Sequence, residues 1–132
     1  MAQGVTPELR LLLIDDDPAF YRAVKEIAEP HGFEVAAAEA SRIYKSTIRS
    51  WSPTLVLVDL KTRYLDGVEI LKGLAAIKCT AAIVLASDLD PGTLDAALRL
   101  GGERGLKMDS VLQKPASPHE LNELLLRHKP AQ

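Results

Sequence analysis

Apolar residues fall along this chain in two rhythms. Leu11, Leu12, Leu13 and Ile14 are apolar at every position and stop abruptly at Asp15, Asp16, Asp17 and Pro18. A run without alternation fits a strand covered on both faces, as in a parallel sheet. Leu55, Val56, Leu57 and Val58 repeat the pattern before Asp59. Residues 81–86 do so before Ser87 and Asp88, and the shorter Val111, Leu112 and Gln113 before Lys114 and Pro115. Residues 33–38 are an alanine-rich and weaker strand candidate. Between the runs the spacing turns helical. Asp17 reads as a helix cap with Pro18 at the first helical position, followed by Phe20, Ala23, Val24, Ile27 and Ala28, and Pro30, His31 and Gly32 end that helix. The spacing predicts a second helix over residues 40–50 with Ile43, Tyr44 and Ile48 inward. A third follows the turn signal Asp66-Gly67 and carries Val68, Ile70, Leu71 and Leu74. A fourth is capped by Asp90, turns Leu94, Ala97 and Leu98 inward and stops at Gly101 and Gly102. Ser117, Pro118 and Glu120 form a capping box that opens the fifth, with Leu121, Leu124 and Leu125 on its apolar stripe.

Strand then helix, five times over with short connections, implies an α/β fold. A five-stranded parallel sheet is expected, with helices on both faces and right-handed crossovers. A length of 132 residues favours a single domain. It is expected over residues 9–128, between an N-terminal extension at 1–8 and a C-terminal tail at 129–132. A chain 47% hydrophobic and 26% charged is no disordered tail, collagen-like fibre or coiled coil. Sixteen Lys and Arg against eighteen Asp and Glu give a net charge of -2, which argues against direct nucleic-acid binding through bulk electrostatics. No apolar run reaches the roughly eighteen residues that cross a bilayer, and residues 1–10 lack signal-peptide character. The expectation is a cytoplasmic protein without a membrane partner. A lone Cys79 forms no internal disulfide.

Ligands of open parallel sheets bind beyond the carboxyl ends of the strands. Asp15, Asp16, Asp59, Ser87 and Lys114 each stand just past an apolar run, so three carboxylates, a hydroxyl and an ammonium should share one rim. Crowded carboxylates call for a counter-charge. Mg2+ suits them, being a hard cation that takes oxygen ligands. Lys114 suits a carboxylate or phosphoryl oxygen as a point charge, and Ser87 can donate to the same group. A carboxylate can attack phosphorus to form an acyl phosphate. A flavin or nucleotide module would want glycines and hydroxyls after the first strand, where this chain has three aspartates that repel phosphate.

These residues resemble the receiver domain of bacterial two-component response regulators, of the chemotaxis-regulator type. The likeness runs from about residue 9 to 128. Its motifs are the acidic pair Asp15 and Asp16, the strand-end Asp59 followed by Leu65, Asp66 and Gly67, then Ser87 and Lys114-Pro115. The resemblance implies a single (βα)5 flavodoxin-like domain. It implies that Asp59 accepts a phosphoryl group from a sensor histidine kinase or phosphotransfer protein. Mg2+ would be held by Asp15, Asp16, Asp59 and the Lys61 carbonyl, with Ser87 and Lys114 on phosphoryl oxygens. A cis Lys114-Pro115 bond, signalling to a downstream output protein or domain, and homodimerisation through the fourth helix, fifth strand and fifth helix are habits of the family.

The chain departs from the pattern in places. Thr62 and Arg63 stand where Met-Pro is frequent, and Val111 stands at the aromatic switch position. The stretch 101–109 is longer than usual, similar to receivers attached to cyclic-di-GMP phosphodiesterase outputs. The expected role is a signalling module and not an enzyme on a separate substrate. One alternative is a degenerate receiver that binds partners without phosphorylation. The other is a Mg2+-dependent phosphohydrolase with an Asp nucleophile, which wants a second Asp where this chain has Lys61. Taken singly, His31, His119 and His128 read as solvated surface residues, and Trp51 and Tyr44 as packing residues.

Overall fold

The computed structural model describes residues 8–38, 43–61 and 67–129. Its strands are β1 (Leu9–Ile14), β2 (Phe33–Ala38), β3 (Leu55–Val58), β4 (Ala82–Ser87) and β5 (Lys107–Gln113). Its helices are α1 (Pro18–Ala28), α2 (Ile43–Trp51), α3 (Gly67–Ala76), α4 (Pro91–Glu103) and α5 (Pro118–Arg127). All strands are parallel, in the order β2-β1-β3-β4-β5.

Successive side chains on a strand point to opposite faces, and two cores result. Leu12, Ile14, Val56, Val58, Ile83 and Leu85 meet α2, α3 and α4 through Tyr44, Ile48, Ile70, Leu71, Leu74 and Leu94. Leu11, Leu13, Leu55, Leu57, Val84 and Ala86 meet α1 and α5 through Val24, Ala28, Leu121, Leu124 and Leu125. Strands buried on both faces have no polar side to show, which explains the unbroken apolar runs. The caps are as the residues suggest. Asp17 accepts from the Ala19 N–H, Asp90 from the Thr93 N–H, and Ser117 and Glu120 form a reciprocal box.

Four expectations change. Ile43 faces outward at 57% exposure while Tyr44 and Ile48 face the core; adjacent helical residues cannot share one narrow stripe. The remainder of the expected second helix, residues 40–42, and Asp66 lie outside the described residues. Gly101 and Gly102 do not end α4. Gly101 lets Met108 pack against the helix, and the chain leaves at Gly105, whose φ of +87° suits glycine. The long stretch 101–109 therefore extends α4 and β5, with Leu106 buried. β5 itself begins at Lys107 and carries an irregularity: Ile83 pairs with Met108 and Val84 with Ser110, leaving Asp109 as an extra residue.

Gly73 offers a check on this packing. A Cβ there would fall on the hydroxyl of buried Tyr44 and lie 2.9 Å from Lys45 Cε. Gly73→Ala should lose about 1–3 kcal/mol by overpacking. Gly102→Ala, with nothing within 4 Å of the new methyl, should instead gain up to about 1 kcal/mol from helix propensity. Urea denaturation of both variants reads the difference. Equal midpoints would contradict the Tyr44 contact.

Candidate functional site

β1 and β3 pair with Ile14 opposite Val58, and the Asp59 N–H continues the ladder by donating to the Ile14 carbonyl at 2.9 Å. Asp15 and Asp59 therefore emerge side by side. The strand order reverses about β1, so they mark the crevice where open α/β sheets bind ligands. Both are buried, at 8% and 9% exposure, and Ser87 at the end of β4 is wholly buried.

Lys114 arrives from β5. Its N–H donates to the Ser87 carbonyl at 2.8 Å, and its bond to Pro115 is cis. The ammonium lies 2.6 Å from Asp15 Oδ2 and 3.4 Å from Asp59 Oδ2. The far oxygens are held by backbone: the Asp17 N–H donates to Asp15 Oδ1 at 3.0 Å, and the Lys61 N–H to Asp59 Oδ1 at 2.9 Å. Burial pushes the Asp15 carboxyl above its ordinary range, and the facing Asp59 adds to this; hydrogen bonds from Lys114 and Asp17 only partly oppose it. For Lys114 the largest influence is burial, which disfavours its charge, yet the two carboxylates together outweigh burial and raise its pKa. The ion pair is thus tilted toward keeping the ammonium charged.

The fourth element is the loop after β4. Ser87 Oγ accepts from the Leu89 N–H at 3.3 Å, while the Gln113 side-chain amide donates to the Leu89 carbonyl at 2.8 Å. One peptide segment leading into α4 is gripped from both sides.

Asp15, Asp59 and Lys114 come together, and Ser87 is tied to Lys114 through its carbonyl. Asp16 is half-buried beside them. Among the described residues, no group of three or more His, Cys, Asp or Glu side chains is set closely enough to hold a metal unaided. The Lys61 side chain turns outward, 3.7 Å from Asp88. Thr62, Arg63 and Leu65 lie outside the described residues. Val111 is partly buried against the core on the α4 side.

Sequence reasoning missed Phe20, whose ring centroid is 4.1 Å from the Lys114 ammonium. Its only sequence signal was a place on an apolar helical stripe. The histidines also need correcting. His31 Nε2 lies 2.6 Å from Asn122 Oδ1, and His128 Nε2 lies 3.3 Å from Asp109 Oδ2, with its side chain only 15% exposed. Only His119 is left as an exposed surface residue.

Residues 11–126 match the family model of the response regulator receiver domain. The chain belongs to that family: it is a receiver domain of the two-component response regulators. It is 28% identical over 117 residues to the photosynthetic apparatus regulatory protein RegA of Rhodobacter capsulatus, covering 88% of this chain and 60% of RegA. It is 31% identical to the regulatory protein VirG of Agrobacterium tumefaciens, covering 92% of this chain and 42% of VirG. The DNA-binding response regulator MtrA of Mycolicibacterium smegmatis is 29% identical, with 88% and 48% covered. The chain spans about half the length of these relatives. Among solved structures, a response regulator from Colwellia psychrerythraea superposes with a TM-score of 0.76 at 27% identity, covering 92% and 96% of the two chains. The chemotaxis response regulator CheY4 of Vibrio cholerae shares the fold, with a TM-score of 0.77 at 18% identity and coverage of 92% and 99%. Receiver domains generally act as signalling modules, work with Mg2+, and interact with histidine kinases and output domains. No described helix is long and apolar enough to cross a membrane.

Proposed function

We propose that Asp59 is the phosphoacceptor, receiving a phosphoryl group from the phosphohistidine of a sensor kinase or phosphotransfer protein in the cytoplasm. The observation that carries this reading is the Lys114 ammonium lying between the buried carboxylates of Asp15 and Asp59. An Asp59 oxygen attacks phosphorus, the P–N bond breaks with its electron pair going to the imidazole, and an acyl phosphate forms. Lys114 leaves Asp15 for a phosphoryl oxygen. The Ser87 hydroxyl, which accepts from Leu89 in the resting chain, turns to donate to another phosphoryl oxygen. The loop before α4 then loses one of its two holds, and the balance of its conformations shifts.

Two buried carboxylates around one ammonium leave an all-oxygen, net anionic pocket, and that donor set fits a hard divalent cation. Asp15, Asp16, Asp59 and the Lys61 carbonyl would hold Mg2+, which when bound neutralises charge on the transferring group. The receiver unit spans residues 9–128 and acts on no separate substrate. Its change is read by an output domain or a partner protein, and a homodimer through α4, β5 and α5 is one form that readout can take.

Intact-mass spectrometry after acetyl phosphate and Mg2+ tests this. One phosphoryl adduct is expected, absent when the metal is chelated. Borohydride reduction should convert the modified residue to homoserine at position 59. An adduct that maps to another residue would refute the assignment.

A further inference from the structure

We infer that Phe20 is a positioning residue for Lys114, holding the ammonium at the site as it passes from Asp15 to the phosphoryl group. The inference rests on the reading of Asp59 as phosphoacceptor. The ammonium sits in a three-sided cradle: Asp15 Oδ2 at 2.6 Å, Asp59 Oδ2 at 3.4 Å and the Phe20 ring at 4.1 Å. The third side is built by the same turn as the first. The Asp17 N–H fixes Asp15 Oδ1, the Asp17 side chain caps α1, and Phe20 stands in the first turn of that helix. Displacement of the Phe20 backbone relative to Asp15 would therefore break the cap.

The three contacts differ in what they allow. The hydrogen bond to Asp15 is directional and short, and it must lengthen before Lys114 reaches a phosphoryl oxygen. The ring face attracts the cation through its quadrupole, without a preferred hydrogen-bond direction. That attraction persists as the ammonium crosses the gap between the carboxylates. The ring thus survives as a fixed neighbour in both positions, and as Asp15 is given up it weighs more. A lysine side chain without it is free to swing toward water, and charge developing on the transferring group goes unmet. Preorganised charge of this kind acts on the rate, not on donor binding.

The experiment is a time course of adduct formation with acetyl phosphate and Mg2+, at several donor concentrations. It compares the parent chain with Phe20→Leu, Phe20→Tyr and chains carrying mono-, di- and trifluorophenylalanine at position 20. Phe20→Leu should lower the maximal rate roughly tenfold, leaving the half-saturating donor concentration unchanged. Phe20→Tyr should keep most of the rate, and the rate should fall stepwise with each added fluorine as the ring face loses negative charge. Urea denaturation confirms that each chain is folded. A flat fluorine series, or a Leu variant as fast as the parent, overturns the role of Phe20 alone. No adduct on the parent chain overturns both this role and the reading of Asp59.

Discussion

Lys114→Met should cost the chain about 3–5 kcal/mol of stability when no divalent cation is present, the penalty of leaving buried charge unpaired. The side chains of Asp15 and Asp59 are only 2% and 12% exposed, and the Lys114 ammonium lies between them. Methionine matches the stem in length, so the loss reports the charge more than the packing. The sign of the pH dependence follows from Asp15. Its carboxyl already sits above its ordinary range, chiefly through burial, and removing Lys114 takes away the largest opposing influence. An acid whose folded pKa is raised binds its proton more tightly when folded. The deficit is therefore complete above that folded pKa and fades as pH falls through it. Urea denaturation across the acidic range reads both effects. A deficit that grows on acidification would overturn the account. Adding Mg2+ should restore part of the loss at neutral pH, and Asp15→Asn in the same chain should do so without the metal.

Leu57→Ala should lose about 2–5 kcal/mol, a substantial part of the roughly 5–15 kcal/mol that holds a domain of this kind folded. Leu57 has no exposure and lies on the central strand between Leu13 of β1 and Val84 of β4. All three belong to the core under α1 and α5, so neighbouring strands prevent easy collapse into the vacated space. Exposed Leu126 on α5 is the control: Leu126→Ala should change stability by no more than about 0.5 kcal/mol. Thermal and urea midpoints measured side by side decide the matter, and similar losses for the two variants would contradict the assigned burial.

The central strands were legible because burial on both faces leaves a signature that no amphipathic helix writes: Leu11 to Ile14 and Leu55 to Val58 have no polar member, whereas the half-exposed Lys107 to Ser110 of β5 carry no such mark. The site was legible for a related reason. Asp15, Asp59 and Ser87 follow directly on such runs and Lys114 follows the short Val111-Leu112-Gln113, so locating the strand ends also located these four. Contacts that join distant elements were not legible. Phe20 meets Lys114 across most of the chain, and His31 meets Asn122 from the turn just past the end of α1; neither partner carries a local mark of the other. The end of α4 misled for a different reason. Glycine serves both close packing and left-handed exit, and its letter does not say which. Gly101 does the first, beneath Met108, and Gly105 the second.

The extra residue in β5 has a consequence for how this protein can diverge. Asp109 has no partner in the β4 ladder, and its carboxylate is met instead by Arg127 and His128 at 3.4 and 3.3 Å. The strand is thereby split into two stretches whose inward and outward phases are set separately. Residues gained or lost between α4 and Met108 can be taken up at that point, while Leu112, Gln113 and Lys114 keep their alignment with β4. A change of length at the start of β5 can thus be absorbed without retuning the position of Lys114 at the opposite end of the strand.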